Sequence, residues 1–521
     1  SGLQSFFNSV QDVANDPSSI STRQALIGEA EGVASRFQLL DARLGELEEE
    51  VNGRLTLAVD DINRIATSIA SLNQKISLAN NAATPPNDLL DARDALVLEL
   101  SGQVSVSTTL QDDGSMSVFI GSGQSLVTAG NARQLTVGGS EFDLTRMEVA
   151  YQGAAGSTPL DTSSTGGNLG ALLEFRSQIL DPARQSLGQT AVAFASSMNE
   201  QNASGMDLRG NLGGDLFSVA PPTVLSSNQN TGSGTASVSV NDLGVLTGVD
   251  YVLEFDGAAY SLSREDTGEV IPLSGSGTGA DPFVGDGISI VVGGAPAAGD
   301  RLLLRTGQDA AGSITSVVSD AQSIAMAAPT RAETSQGNIG DATISPANVV
   351  DQSDPNLLTS SVIEFTSPTS YSINGAGSFT YTDGDAIVIN GSSVTISGNP
   401  SSGDQFTIEA NYGASGDNRN GLLMADVQSA GLLDGGTISI NESYGRLVSS
   451  VGAMTHQIQG SLDAQGVVLS NAEAQVSATS GVNLDEEAAN LIKYQQAYQA
   501  VAQVVAVVNT MFDSLLAATR R

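Results

Sequence analysis

The 521-residue chain carries 21 Lys plus Arg against 57 Asp plus Glu, a formal charge of −36. Such a surface repels phosphate backbones and anionic headgroups, so neither nucleic acid nor membrane is an expected partner. No cysteine and a single histidine exclude disulfides, thiolate catalysis and paired-histidine zinc motifs.

After the Asp16-Pro17 break, residues 23–78 read as one long helix or two in line. Apolar positions alternate four and three apart through Val33, Phe37, Leu40, Leu44, Leu47, Val51, Leu55, Ala58, Ile62, Ile65, Ile69, Leu72 and Ile76. One four-residue step is doubled around Val51. At the helical rise this is a rod of about 80 Å. Thr84-Pro85-Pro86 ends it, and Asn87 is the expected cap of a short helix through Leu100. The period then drops to two. Val104, Val106 and Thr108 run out, Asp113-Gly114 turns, and Met116, Val118 and Ile120 run back as a hairpin. A further helix is expected from Asp181 as cap, with Pro182 at its first position and a stripe of Leu187, Ala191, Phe194 and Met198.

From about residue 220 to 413, Gly, Ser, Thr, Val and Asp dominate and short alternating strands replace helices. One unit recurs. Tyr251–Phe255 followed by Tyr260-Ser261-Leu262 parallels Val362–Phe365 followed by Tyr371-Ser372-Ile373. Gly285–Ile290 is paired with Gly384–Ile389, and Gly299-Asp300 with Gly403-Asp404. Residues 313–328, between the copies, read as helix. Helix returns over 438–479 with its own doubled step around Ile458. Laying the two long stripes antiparallel with Val51 facing Ile458 puts Leu72 opposite Thr437, which predicts side-by-side packing.

The last segment has the strongest pattern. Leu484, Ala488, Leu491, Gln495, Tyr498, Ala502, Val505, Asn509, Phe512 and Leu516 hold the 4-then-3 spacing, widened by Ile492, Val501, Val504, Val508 and Leu515. Asn483 is the expected cap, and the acids after it suit the positive helix end. A stripe this wide needs a partner, because an isolated helix is marginal in water. The expected assembly residues are Leu484, Leu491, Tyr498, Val505, Phe512 and Leu516.

A search for chemistry returns little. His456 falls off the apolar stripe and reads as a surface residue. Gly275–Gly279 lacks the spacing of a dinucleotide loop. Asp383-Gly384-Asp385, and Asp281 with Asp286, fit turn chemistry better than a calcium loop. With no Trp and 4% aromatics, a stacking sugar site is not expected. No catalytic, cofactor or metal residue is assigned, and an enzyme is not expected.

The segment Asn483–Leu491 with Tyr494–Ala500 resembles the C-terminal helix of bacterial flagellar axial proteins. Gln11–Pro17, Leu89–Asp94, Leu180–Arg184 and Asp417–Asn420 narrow the resemblance to the hook-associated protein 1 family, which joins hook to filament. The resemblance implies a structural subunit exported unfolded through the flagellar channel. Its implied partners are identical subunits in a ring, hook protein, a second junction protein and an export chaperone on the C-terminal helix. The chain opens Ser1-Gly2 without Met and reads as lacking the family's N-terminal helix, which would leave residues 484–521 loose before assembly. The expected fold is α+β and multidomain, an elongated helical stalk from both chain ends carrying two small inserted β-domains. Its expected parts are 1–218 (helical, with the hairpin), 219–330 and 331–416 (β-rich), 417–480 (helical) and 481–521 (assembly helix). Alternatives are another axial protein of hook or filament type and, ranked last, a secreted acidic hydrolase or adhesin.

Overall fold

The computed structural model describes residues 2–79, 86–153, 156–160, 165–242, 244–245, 249–480 and 484–519. The chain divides into two compact units, Ser1–Ser449 and Ser450–Arg521. Helices and small antiparallel sheets share the first unit, so the chain is α+β. Asn483 and the Thr84-Pro85 break fall outside the described residues.

The first unit opens with α1 (Gly2–Asn15) and α2 (Ile20–Ala79), the latter 60 residues long. Two cores cover successive stretches of α2. The first gathers Leu26, Val33 and Phe37 of α2 with Phe6 and Phe7 of α1, Phe194 and Phe217. Phe194 is the hub, meeting Phe6 edge-on at 5.3 Å and Phe217 at 4.8 Å between ring centroids. The second takes Val51, Leu55, Ile62, Ile65 and Ile69 and covers them with Leu100 of α3 (Asn87–Gln103) and with strand residues Val118, Ile120, Leu126, Val127, Leu135 and Val149. The hairpin forms as expected, Val106 pairing with Ile120 and Leu110 with Met116. The sequence reading missed Gln124–Thr128, which extends this sheet, and a separate three-stranded sheet of Leu135–Gly139, Met147–Gly153 and Gly156–Pro159.

Three local expectations are corrected. Asn87 is the first residue of α3 and Pro86 occupies the cap position without a side-chain cap bond. Asp181 caps nothing: α4 (Gly167–Phe175) runs through a π-helical turn, Arg176–Leu180, directly into α5 (Asp181–Ala203). The wider turn accommodates Pro182, which has no N–H to continue an ordinary ladder. Asp181 is instead clamped by Arg146 Nη1 and Nη2 at 2.9 and 2.6 Å. Residues 313–328 are mostly extended, with only Ala310–Ser313 and a 3₁₀ turn, Ala321–Ser323, helical nearby. Buried Arg23 takes their carbonyls, donating to Ala321 O at 3.2 Å and Ile324 O at 2.5 Å. Their side chains Ile314, Val318, Ile324 and Met326 enter the first core from an extended chain.

The expected pairing of Leu72 with Thr437 is also overturned. Helix α7 (Ile440–Ser480) begins in the first core, where Ile440 is buried with Val33 and Phe37 and where Tyr444 and Leu447 pack. Ile438 packs on Ala193 of α5. Thr190 and Ser443 join their hydroxyls at 2.9 Å. The stretch of α2 around Val51–Ile69 was unavailable because α3 and the hairpin sheet already cover it.

The two β-rich copies have one topology. The first sheet runs Val270–Ile271, Tyr260–Arg264, Tyr251–Phe255, Asp300–Arg305, Thr223–Ser226. The second copy repeats this as Ala376–Thr380, Ser370–Ile373, Ser361–Ser367, Gln405–Ala410, Thr330–Thr334. Asp300 accepts the N–H groups of Thr231 (2.9 Å), Gly232 (3.0 Å) and Ala297 (2.8 Å). Asp404 does the same for Ile339 (2.8 Å), Gly340 (3.1 Å) and Ser401 (2.8 Å). The strand pairing moves one expected equivalence. Turn Asp286-Gly287, joining Phe283–Gly285 to Ile288–Gly293, matches Asn390-Gly391, joining Ala386–Ile389 to Ser392–Ser397, and not Asp385-Ala386. Both turns use positive φ at both residues, 51° and 80° against 48° and 72°, as a tight antiparallel hairpin requires.

The second unit contains the continuation of α7 and all of α8 (Leu484–Thr519).

Candidate assembly surface

Between Lys493 and Asp513, α8 has no charged residue. Tyr494, Tyr498, Val501, Val504, Val505, Val507 and Val508 cover more than half its circumference, while Gln495, Gln499 and Gln503 make a polar strip. A helix apolar over so much of its surface is normally enclosed. Here it is not: Leu491 is 65%, Tyr498 78% and Val505 53% exposed. The side chains of Leu484, Phe512 and Leu516 lie outside the described residues. Three of the six expected assembly residues are thus placed, all on the exposed apolar sector. Val507 was missed by the single-stripe reading. The uncharged run from Tyr494 to Phe512 was the signal that could have found it.

In the second unit α7 repeats the pattern, leaving Ile458, Leu462, Leu469 and Val476 exposed. Each large aliphatic side chain removed from water contributes about 1.5–3 kcal/mol, so two such helices represent a large unrealised burial. The helices form because Ala, Leu, Gln and Glu favour the conformation and no Pro interrupts them.

The other candidate motifs act structurally. His456 is exposed on α7. Asp383 accepts Gly398 N–H at 2.8 Å, and Asp286 accepts Tyr251 Oη–H at 2.8 Å and Arg264 at 3.0 Å. Among the described residues no group of three His, Cys, Asp or Glu could hold a metal ion, and no helix is long and apolar enough to cross a membrane. The Asp417–Asn420 stretch is a splice between the second β-copy and the helices. Arg419 spans Asp417 (2.8 Å) and Thr330 O (3.1 Å), and Asn418 donates to Ala14 O at 2.8 Å. Asn420 donates to Ala325 O at 2.6 Å and Gln201 O at 3.0 Å. Burial works against the Asp417 charge, but Arg419 beside it holds its carboxyl below the usual range. Asp417 and Asn420 are thereby fixed in role, neither of them catalytic.

Closed cores, turn-building acids and a long uncovered apolar helix are the features of a structural protein. Comparison with known proteins gives the lineage. Residues 1–217 match the flagellar hook-associated protein FlgK helical domain, residues 225–306 the flagellar hook-associated protein 1 D2-like domain, and residues 474–518 the flagellar basal body rod FlgEFG protein C-terminal family. The chain is 32% identical over 518 residues to flagellar hook-associated protein 1 of Escherichia coli K12, covering 99% of this chain and 80% of the relative. It is 33% identical over 520 residues to that of Salmonella typhimurium LT2, with the same coverage. The structure of the flagellar hook junction protein FlgK from Burkholderia pseudomallei superposes with a TM-score of 0.82 at 30% identity, covering 92% of this chain and 93% of that one. The chain belongs to the flagellar hook-associated protein 1 family. It is a structural component of the bacterial flagellum and not an enzyme.

Proposed function

We propose that the protein forms the junction between hook and filament by packing α8 against the equivalent helices of identical subunits in a ring. The exposed apolar sector of α8 carries this reading, because a soluble subunit with such a helix gains stability only when neighbours cover it. Leu484, Leu491, Tyr498, Val505, Phe512 and Leu516 form the buried assembly stripe. Hook protein lies on one side of the ring and a second junction protein on the other. Before assembly the subunit is exported to the cell exterior, with α8 shielded by an export chaperone. Both chain ends contribute to one elongated helical stalk, residues 1–218, 417–480 and the assembly helix 481–521, into which the β-rich parts 219–330 and 331–416 are inserted.

Electron microscopy and motility of a strain lacking the protein test this: hooks without filaments are expected, restored by the intact chain and not by Leu491→Asp with Val505→Asp. Swimming cells with attached filaments from that double variant would contradict the assignment.

A further inference from the structure

The first β-copy is joined to the helical part of its unit without a shared hydrophobic core. Its own core contains only residues between Val224 and Leu304, and neither core along α2 includes any of them. What crosses the seam is charge and backbone. The loop 140–143 offers two carboxylates, Glu141 to Arg301 Nη1 at 2.6 Å and Asp143 to Arg305 Nη2 at 2.9 Å. The Arg301 guanidinium stands 5.3 Å over the Phe142 ring, and Asn228 N–H donates to Glu141 O at 2.9 Å. One backbone bond, Gly435 N–H to Gly244 O, adds a tie elsewhere.

Two further features give this seam mechanical meaning. On one flank the chain returning from the β-copy touches α5 backbone to backbone: a Cβ on Gly188 would meet Gly307 O at 1.9 Å. Only glycine allows this contact, and it holds the returning chain at one point. Beside the carboxylate loop lies a cavity of about 690 Å³ lined by both sides of the seam, including Glu148, Asp181, Glu265 and Arg264. Its lining is polar, so solvent can fill it at little cost. The latch arginines are incompletely satisfied. Arg305 Nε sits 3.7 Å from Asp250, beyond hydrogen-bond range, and Arg305 Nε, Arg301 Nε and Asp250 Oδ1 have no hydrogen-bond partner. The Glu141–Arg301 pair is partly exposed, so it holds modestly and is screened by salt, while the more buried Asp143–Arg305 pair is screened less.

We propose that residues 225–306 form a hinged arm, pivoting where Gly188 meets Gly307 and latched by Glu141 and Asp143 to Arg301 and Arg305. Releasing the latch lets the arm change angle into or away from the cavity while the cores on both sides stay closed. The arm therefore gives each subunit an orientation set by ionic conditions rather than by packing.

Distance distributions between spin labels test this. The chain lacks cysteine, so Ser71→Cys and Ala258→Cys supply one exposed label on each side of the seam. A narrow distribution is expected at low salt. It should broaden at about 1 M NaCl, where the screening length falls to about 3 Å. Glu141→Gln with Asp143→Asn should reproduce that broadening at low salt, with unchanged far-ultraviolet circular dichroism. A distribution that neither salt nor the double variant alters would overturn the proposal. So would loss of strand signal in the double variant, because the loop would then belong to the folded core.

Discussion

Helices α2 and α8 carry the same four-then-three apolar rhythm and meet opposite fates. In α2, Leu55, Ile62, Ile65 and Ile69 are fully buried, covered by elements encoded within the next hundred residues. In α8, Leu491, Tyr498 and Val505 stay more than half exposed. Periodicity specifies a face that must be covered, and neighbouring elements decide whether the same chain covers it. Where they do, the stripe is core. Where they do not, the stripe stays exposed, and on the proposed function its burial waits for assembly.

That contrast sets the order of expected effects. Phe194→Ala removes the hub ring of the first core and should cost about 3–5 kcal/mol in urea unfolding; a cost below about 1 kcal/mol would break the account of that core. Leu491→Ala and Val505→Ala in the free chain should shift stability by no more than about 0.5 kcal/mol, and a core-sized loss would place α8 inside a closed monomer. A pH effect of intermediate size is expected at Asp250. Burial raises its pKa to about 7 against the pull of Arg305 and Arg146, with Glu265 and Asp309 pushing the same way as burial. Unfolded, the group ionises near 4, so between about pH 4 and 7 the folded chain keeps a proton that the unfolded chain has lost. Stability should therefore fall across that window by roughly 1–3 kcal/mol, and Asp250→Asn should flatten the fall. The smallest effects concern the β-copies. Backbone donors, Ala297 first, hold Asp300 below the usual carboxylate range. Asp404, despite burial, is lowered by Ser401, Ile339 and Gly340. Asp300→Ala and Asp404→Ala should each speed amide exchange only in their own copy.

Much of this was legible in the residues. The extent of α2, the hairpin, the repeated β-unit and the apolar run of α8 follow from period and turn chemistry, which act locally. The misses arose where long-range partners decided. Arg23 took the carbonyls that would have made residues 313–328 helical. A π turn let α4 continue past Asp181. The matching irregularities at Val51 and Ile458 gave no register, because Val51 already had its cover in the second core. The roles of Asp417–Asn420 could not be read at all, since Arg419 and Asn420 bond to carbonyls of Thr330 and Gln201.

Thiol labelling addresses the central claim most directly. With no native cysteine, Leu491→Cys and Val505→Cys each present one thiol on the apolar sector of α8. A maleimide should modify both rapidly in the free chain and leave both unmodified in intact flagella that still swim. Equal, rapid modification in the two states would mean that the sector remains uncovered after assembly, and α8 would not be the subunit interface.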